Sequence, residues 1–191
     1  MSRALVIMSG GDAVSPFTTP DAACGSGLAA GNTDTALREY LLAAGHRVFT
    51  APAQNGRGVV TDPDPSSFGA FGEQPEVLGE QYTVNSDGDI DLAGEHLARF
   101  IQLLHQRYGI DEVDFVGHSN GGDIAMYFAK QHLDLTAKIV TLDNLRVPFV
   151  LSDKTKILSF RSEDPHFQPD PGVMPSPGQT KTDGIEIVQT K

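Results

Sequence analysis

The sequence predicts an α/β protein with a mostly parallel central sheet flanked by helices. Three observations predict it. Short continuous apolar runs recur along the chain, and such runs suit strands buried on both faces. Segments of helical period lie between them, so successive strands are joined by crossovers and pair in parallel. A glycine-rich turn, Gly117-His118-Ser119-Asn120-Gly121-Gly122, joins one apolar run directly to an amphipathic helix.

The first run is Ala4 to Met8, closed by Ser9-Gly10-Gly11. Residues 12–31, rich in Gly, Pro, Ala and Ser, read as loop. A helix is expected over about Thr33 to Ala44, with Leu37, Tyr40, Leu41 and Ala44 on one face. Asn32 or Thr33 can cap it and Gly45 stops it. Arg47 to Ala51 is the second strand, ended by Pro52. Residues 53–88 carry Pro63, Pro65, Pro75 and several glycines that break any period. A long irregular connection in a compact domain often serves as a cover or mobile segment. Ile90 to Tyr108 is the clearest helix, with Ala93, Leu97, Phe100, Ile101, Leu104 and Tyr108 on one face and Gly109 at its end. Val113 to Val116 is a strand, and the helix after the turn presents Ile124, Ala125, Phe128 and Ala129. Lys138 to Leu142, Lys156 to Phe160 and Ile185 to Val188 complete the strands. One domain over residues 1–191 accommodates all of these, with 53–88 as a candidate site cover.

Composition narrows the function. The net charge is −11, from 14 basic and 25 acidic residues. Such a surface repels phosphate backbones, so no nucleic-acid partner is expected. The single cysteine, Cys24, excludes an intrachain disulfide and a cysteine-built zinc site. Asp87, Asp89 and Asp91 alternate as in a calcium loop, but the sixth-position glycine and twelfth-position glutamate are missing. They read as a helix-entry cap, and no metal is expected. The apolar start spans about five residues, short of a secretory core of about 7–15 and of a span of about 20. A cytoplasmic protein without a membrane span is expected. The pattern sets no oligomeric state.

Ligands of parallel sheets bind at the carboxyl ends of the strands. The residues there are Ser9–Asp12, Gly117–Gly121, Asp143–Asn144 and Arg161–Asp164. Among them Gly117-His118-Ser119-Asn120-Gly121 carries chemistry. A sharp strand-to-helix turn pushes Ser119 Oγ out of the sheet, and a Cβ two residues to either side would clash. At the helix start, backbone N–H groups and the helix dipole favour developing negative charge. The Asn120 N–H is one candidate oxyanion donor.

With these residues in place, the chain resembles the α/β-hydrolase superfamily, and its small, lidless serine lipases and esterases most. The likeness is sharp at 113–122 and weaker at Ala4–Asp12 and Lys156–Asp164. It implies a minimal α/β-hydrolase fold, a Ser-His-acid triad, no cofactor, and hydrolysis of a small-molecule acyl or lipid ester. It places the nucleophile at Ser119 and a second oxyanion donor at Gly11, with Asp12 as rival. The triad acid falls at Asp164, with Glu163 and Asp143 as rivals. The short connection between Leu142 and Lys156, where many relatives insert a lid, implies an open site or one covered by 53–88.

The chain departs from that pattern at the histidine. The family places it after the last strand, where Gln189-Thr190-Lys191 carries none. Of the six histidines, His46, His96, His105 and His132 fall at or near helices and are expected to be exposed. His118 lies inside the turn. His166 is the internal candidate on a carboxyl-end loop, two residues from Asp164. Three readings stay open: His166 serves as base, the base lies on residues beyond Lys191, or the domain binds ligands without catalysis.

Overall fold

The computed structural model describes residues 2–11, 17–18, 33–54, 76–143, 155–162, 181–182 and 185–190. Among them the main-sheet strands are β1 (Arg3–Met8), β3 (Val48–Thr50), β7 (Glu112–His118), β8 (Thr136–Leu142), β9 (Lys156–Ser162), β10 (Lys181–Thr182) and β11 (Ile185–Thr190). Shorter strands are β2 (Phe17–Thr18), β4 (Ala53–Gln54), β5 (Glu76–Val77) and β6 (Val84–Asn85). The helices are α1 (Thr33–Ala43), α2 (Ile90–Tyr108) and α3 (Asn120–Gln131). The seven main strands form one sheet in the order β10-β11-β9-β8-β7-β1-β3. All neighbours pair in parallel except the edge pair β10–β11. This is the mostly parallel sheet that the alternating elements predict.

The apolar runs are where the core lies. Ala4, Val6, Ile7 and Met8 of β1 and Val113, Phe115 and Val116 of β7 are buried. Adjacent residues on one strand face opposite ways, so both faces of these strands are covered. Ala93, Leu97, Phe100, Ile101 and Leu104 of α2 pack into the same cluster as Ile124, Ala125, Phe128 and Ala129 of α3. Two caps fix α2. Asp89 Oδ1 accepts from the N–H groups of Asp91 and Leu92 at 2.8 and 3.1 Å, and Gly109 ends the helix in the left-handed region at φ 65°. Inside the sheet, the Thr141 hydroxyl donates to Ser159 Oγ at 2.9 Å, so neighbouring strands satisfy each other's buried hydroxyls.

Three expectations need correction. In α1 the inward residue is Arg38, fully buried, while Tyr40 is 73% exposed. The guanidinium is tolerated because it donates to Thr50 Oγ1 at 3.0 Å and the Val48 carbonyl at 2.9 Å, tying the helix to edge strand β3. His96 and His132 are half-buried rather than exposed. His96 Nδ1 lies 2.8 Å from the Thr83 carbonyl, and His132 stacks on Phe128 at 4.5 Å. The irregular stretches also hold short ladders: β4 pairs with β6 in parallel, and β2 pairs with β5 antiparallel. Two-residue strands leave no periodicity to read.

Candidate active site

Strand β7 runs into α3 through a single residue, Ser119, with φ 50° and ψ −128°. For a side chain with a Cβ this is a strained backbone, of the kind that persists only where its surroundings impose it. Two contacts impose it here. A Cβ on Gly117 would lie 2.5 Å from Gly122 Cα and 2.6 Å from Gly122 N. One on Gly121 would lie 2.6 Å from the Met8 carbonyl oxygen and would also overlap the Ser9 carbonyl oxygen. Glycine at both positions lets α3 start directly against β7 and the end of β1.

Ser119 is half-buried and its side chain does not cap α3. Its N–H donates to the Leu142 carbonyl at 2.9 Å, and its carbonyl accepts from the Gly122 N–H at 3.0 Å. The first N–H groups of α3 carry the positive end of the helix dipole. On the neighbouring strand, Asp143 also has positive φ, 46°, and its N–H donates to the Phe160 carbonyl at 3.0 Å. Both strained residues therefore stand at the carboxyl edge of the sheet, on adjacent strands.

The loop after β1 closes over this turn. A Cβ on Gly10 would lie 3.4 Å from Ser119 Cβ and 3.0 Å from His118 Nδ1. Gly11 abuts the Asp87 carboxylate and the Asn120 side chain, and a Cβ there would collide with Asp87 Oδ1. Asn120 Nδ2 donates to the Ser86 carbonyl at 3.0 Å and to Asp87 Oδ1 at 3.3 Å. A cavity of about 220 Å³ opens alongside, lined by Ser86, Asp87, Gly88, Ile90, Asn120, Asp123 and Ile124. It begins at Asn120, one residue past Ser119, and holds about one small substituent rather than a whole drug-sized ligand.

The structure thus brings together Ser119, Asn120 and Gly11 of the sequence-predicted residues. Asp164, Glu163, His166, Asp12, Asn144 and Cys24 lie outside the described residues. Among the described residues no histidine is hydrogen-bonded to Ser119 Oγ. His96 and His105 face the carbonyls of Thr83 and Ile110, and His132 stacks on Phe128. The described residues contain no cluster of His, Cys, Asp or Glu able to hold a metal ion. None of their helices is long and apolar enough to cross a membrane. Sequence reasoning left Ser86 inside the irregular 53–88 segment and read Asp87 as part of a helix-entry cap, so neither was placed at the site. The signal available was Asn85-Ser86-Asp87-Gly88, a turn sequence in which Asn85 Oδ1 accepts from the Asp87 N–H at 3.1 Å.

A family model described as alpha/beta hydrolase fold matches residues 85–164, which hold β7, the turn, α3, β8 and β9. Over those residues the chain is similar to the α/β-hydrolase superfamily, whose mostly parallel sheet it shares. Among curated proteins it is similar to a 2-hydroxymuconate semialdehyde hydrolase of Pseudomonas putida, 28% identical over 130 residues. That match covers 59% of this chain and 45% of the relative, so the aligned part spans less than half of that protein. Among solved structures it is similar to Est1E of Butyrivibrio proteoclasticus with ferulic acid bound. The TM-score is 0.55 at 12% identity, covering all of this chain and 79% of that one. A predicted CIB-like hydrolase of Thermoplasma acidophilum matches with a TM-score of 0.48 at 15% identity, over 99% of this chain and 76% of the other. At 12% identity the likeness to Est1E establishes the fold alone.

Proposed function

We propose that the protein is a serine hydrolase that cleaves carboxylic esters of acyl or lipid type through an acyl-enzyme on Ser119. The observation that carries this is the backbone of Ser119 itself: a strained φ of 50° between a strand end and a helix start, sustained by glycines at 117 and 121. Ser119 Oγ attacks the ester carbonyl carbon. The oxyanion that forms lies by the start of α3, where the Asn120 N–H stabilises it and the Gly11 N–H supplies the second donor. The alcohol leaves with a proton, and water then attacks the acyl carbon to free the acid and regenerate Ser119. Asp164 orients the base in this scheme. Asp143, next to the Leu142 whose carbonyl accepts from the Ser119 N–H, is the rival acid.

The base is the demanding part. A serine hydroxyl is a poor nucleophile until its proton has somewhere to go, and general-base help is worth about 10² to 10⁴ in rate. With no base assigned beside Ser119 Oγ, hydrolysis of p-nitrophenyl butyrate by this chain is expected to be slow, well below the ~10 s⁻¹ common for enzymes. The slow release should still vanish in Ser119→Ala. Release that persists in Ser119→Ala overturns the mechanism, and no release at all favours a ligand-binding domain that keeps the turn without the chemistry.

A further inference from the structure

Beyond the strand that precedes them, Gly10 and Gly11 have little of their own to hold them. The β1–β7 ladder ends at Met8, paired with Gly117. Two consecutive glycines have the widest backbone freedom of any dipeptide. A donor on such a backbone stabilises charge only if something outside it fixes its place.

Three side chains from two other segments do that. Buried Ser86 donates its hydroxyl to the Gly10 carbonyl at 3.0 Å. The Asp87 carboxylate occupies the space where a Gly11 Cβ would stand. Asn120 Nδ2, from the first residue of α3, reaches back to the Ser86 carbonyl at 3.0 Å and Asp87 Oδ1 at 3.3 Å. The contacts run from Asn120 to the 85–88 turn and from that turn to Gly10 and Gly11, and the ring closes because Gly10 lies so near Ser119 that a Cβ on it would stand 3.4 Å from Ser119 Cβ. The turn is itself anchored, because its N–H at Ser86 donates to the Gln54 carbonyl at 3.1 Å.

We infer that Ser86 and the Asn120 side chain are positioning residues, which hold the Gly10–Gly11 backbone opposite Ser119 for the acyl-transfer step. This rests on Ser119 being the nucleophile. The role is separate from that of the Asn120 N–H, which every substitution of the side chain leaves in place. A positional error of about 1 Å in a catalytic group can cost about 10²-fold in rate. Loosening without loss of the donor should cost less.

The test uses Ser86→Ala, Asn120→Ala, the double variant and Ser86→Thr, with p-nitrophenyl butyrate turnover and hydrogen exchange over residues 9–11. Each alanine variant should lower kcat about 10-fold, with KM changed less than about twofold, because the contact matters in the transition state. The double variant should be no worse than the poorer single one, since one broken link opens the ring. Ser86→Thr, which keeps the hydroxyl, should recover most of the rate. Exchange at residues 9–11 should rise about 10-fold in both alanine variants. Unchanged kcat in an active protein, or a fall that Ser86→Thr does not recover, overturns the inference. So does a rise in exchange with kcat unaltered. Should the unaltered chain neither turn over ester nor depend on Ser119, it is the nucleophile that has failed. The exchange measurement then decides alone whether Ser86 and Asn120 hold the glycine loop, and unchanged exchange overturns that too.

Discussion

Replacing Gly121 by alanine separates helix propensity from packing, because the two predict opposite signs. Gly121 sits in the first turn of α3. By propensity alone, alanine in a helix is more favourable than glycine by about 1 kcal/mol. The structure leaves no room for the methyl group. Its carbon would stand 2.6 Å from the Met8 carbonyl oxygen, where ordinary contact begins at 3.4 Å. Both partners are backbone, one in strand β1 and one in a helix whose Ile124, Ala125, Phe128 and Ala129 are buried. Accommodation therefore means lifting α3 by most of an ångström. A gap of about 0.5–1 Å forfeits a quarter to a half of each dispersion contact along that face. Overpacking of this kind costs about 1–3 kcal/mol. With rigid neighbours the upper end applies, and the propensity gain leaves a net loss of about 2 kcal/mol. Urea unfolding followed by circular dichroism should show it as a lower midpoint at constant slope. Gly94→Ala is the control: it is also in a helix, but its methyl would meet only the Tyr127 ring edge, at 3.3 Å. It should be near neutral. Gly121→Ala as stable as the unaltered protein would refute the close approach of α3 to β1.

Other outcomes follow from single residues. Asp89→Ala removes both side-chain bonds that cap α2 and should cost about 1 kcal/mol in the same unfolding assay. Asp114 on β7 has its pKa raised, first by burial, against the lowering charges of Arg3 and Lys138. The folded state then binds this proton more tightly than the unfolded chain, so stability falls as pH rises from the ordinary carboxylate pKa through the raised one. Asp114→Asn should thus be the more stable protein at pH 7, an advantage that thermal melts should find gone below the ordinary carboxylate pKa. Any measurable ester turnover by this chain should fall steeply in His166→Ala if His166 is the base, and kinetics of that variant decide it.

The sheet was legible because buried parallel strands leave continuous apolar runs, and β1 and β7 are such runs. The ends of α2 were legible from Asp89 and Gly109, since capping chemistry is local. The Ser119 turn was legible for a related reason: glycines at 117 and 121 are steric necessities that survive as sequence. What was not legible is non-local. Arg38 faces inward because Thr50 and Val48 of an edge strand satisfy it, which no helical period reveals. Ser86 and Asp87 meet Gly10 and Gly11 across 76 residues of chain, and a two-residue strand beside them gives no pattern. Asn120 followed from the same turn, and the resemblance supplied the remaining site positions, of which Gly11 stands against the Asn120 side chain.

The central claim is that Ser119 is a nucleophile, and covalent labelling tests it most directly. The protein is treated with a fluorophosphonate, digested, and its peptides mapped by mass spectrometry. The phosphonyl group should be found on Ser119, slowly added but stoichiometric, and absent from Ser119→Ala. A protein that stays unlabelled, or one labelled equally with and without the Ser119 hydroxyl, would contradict the claim.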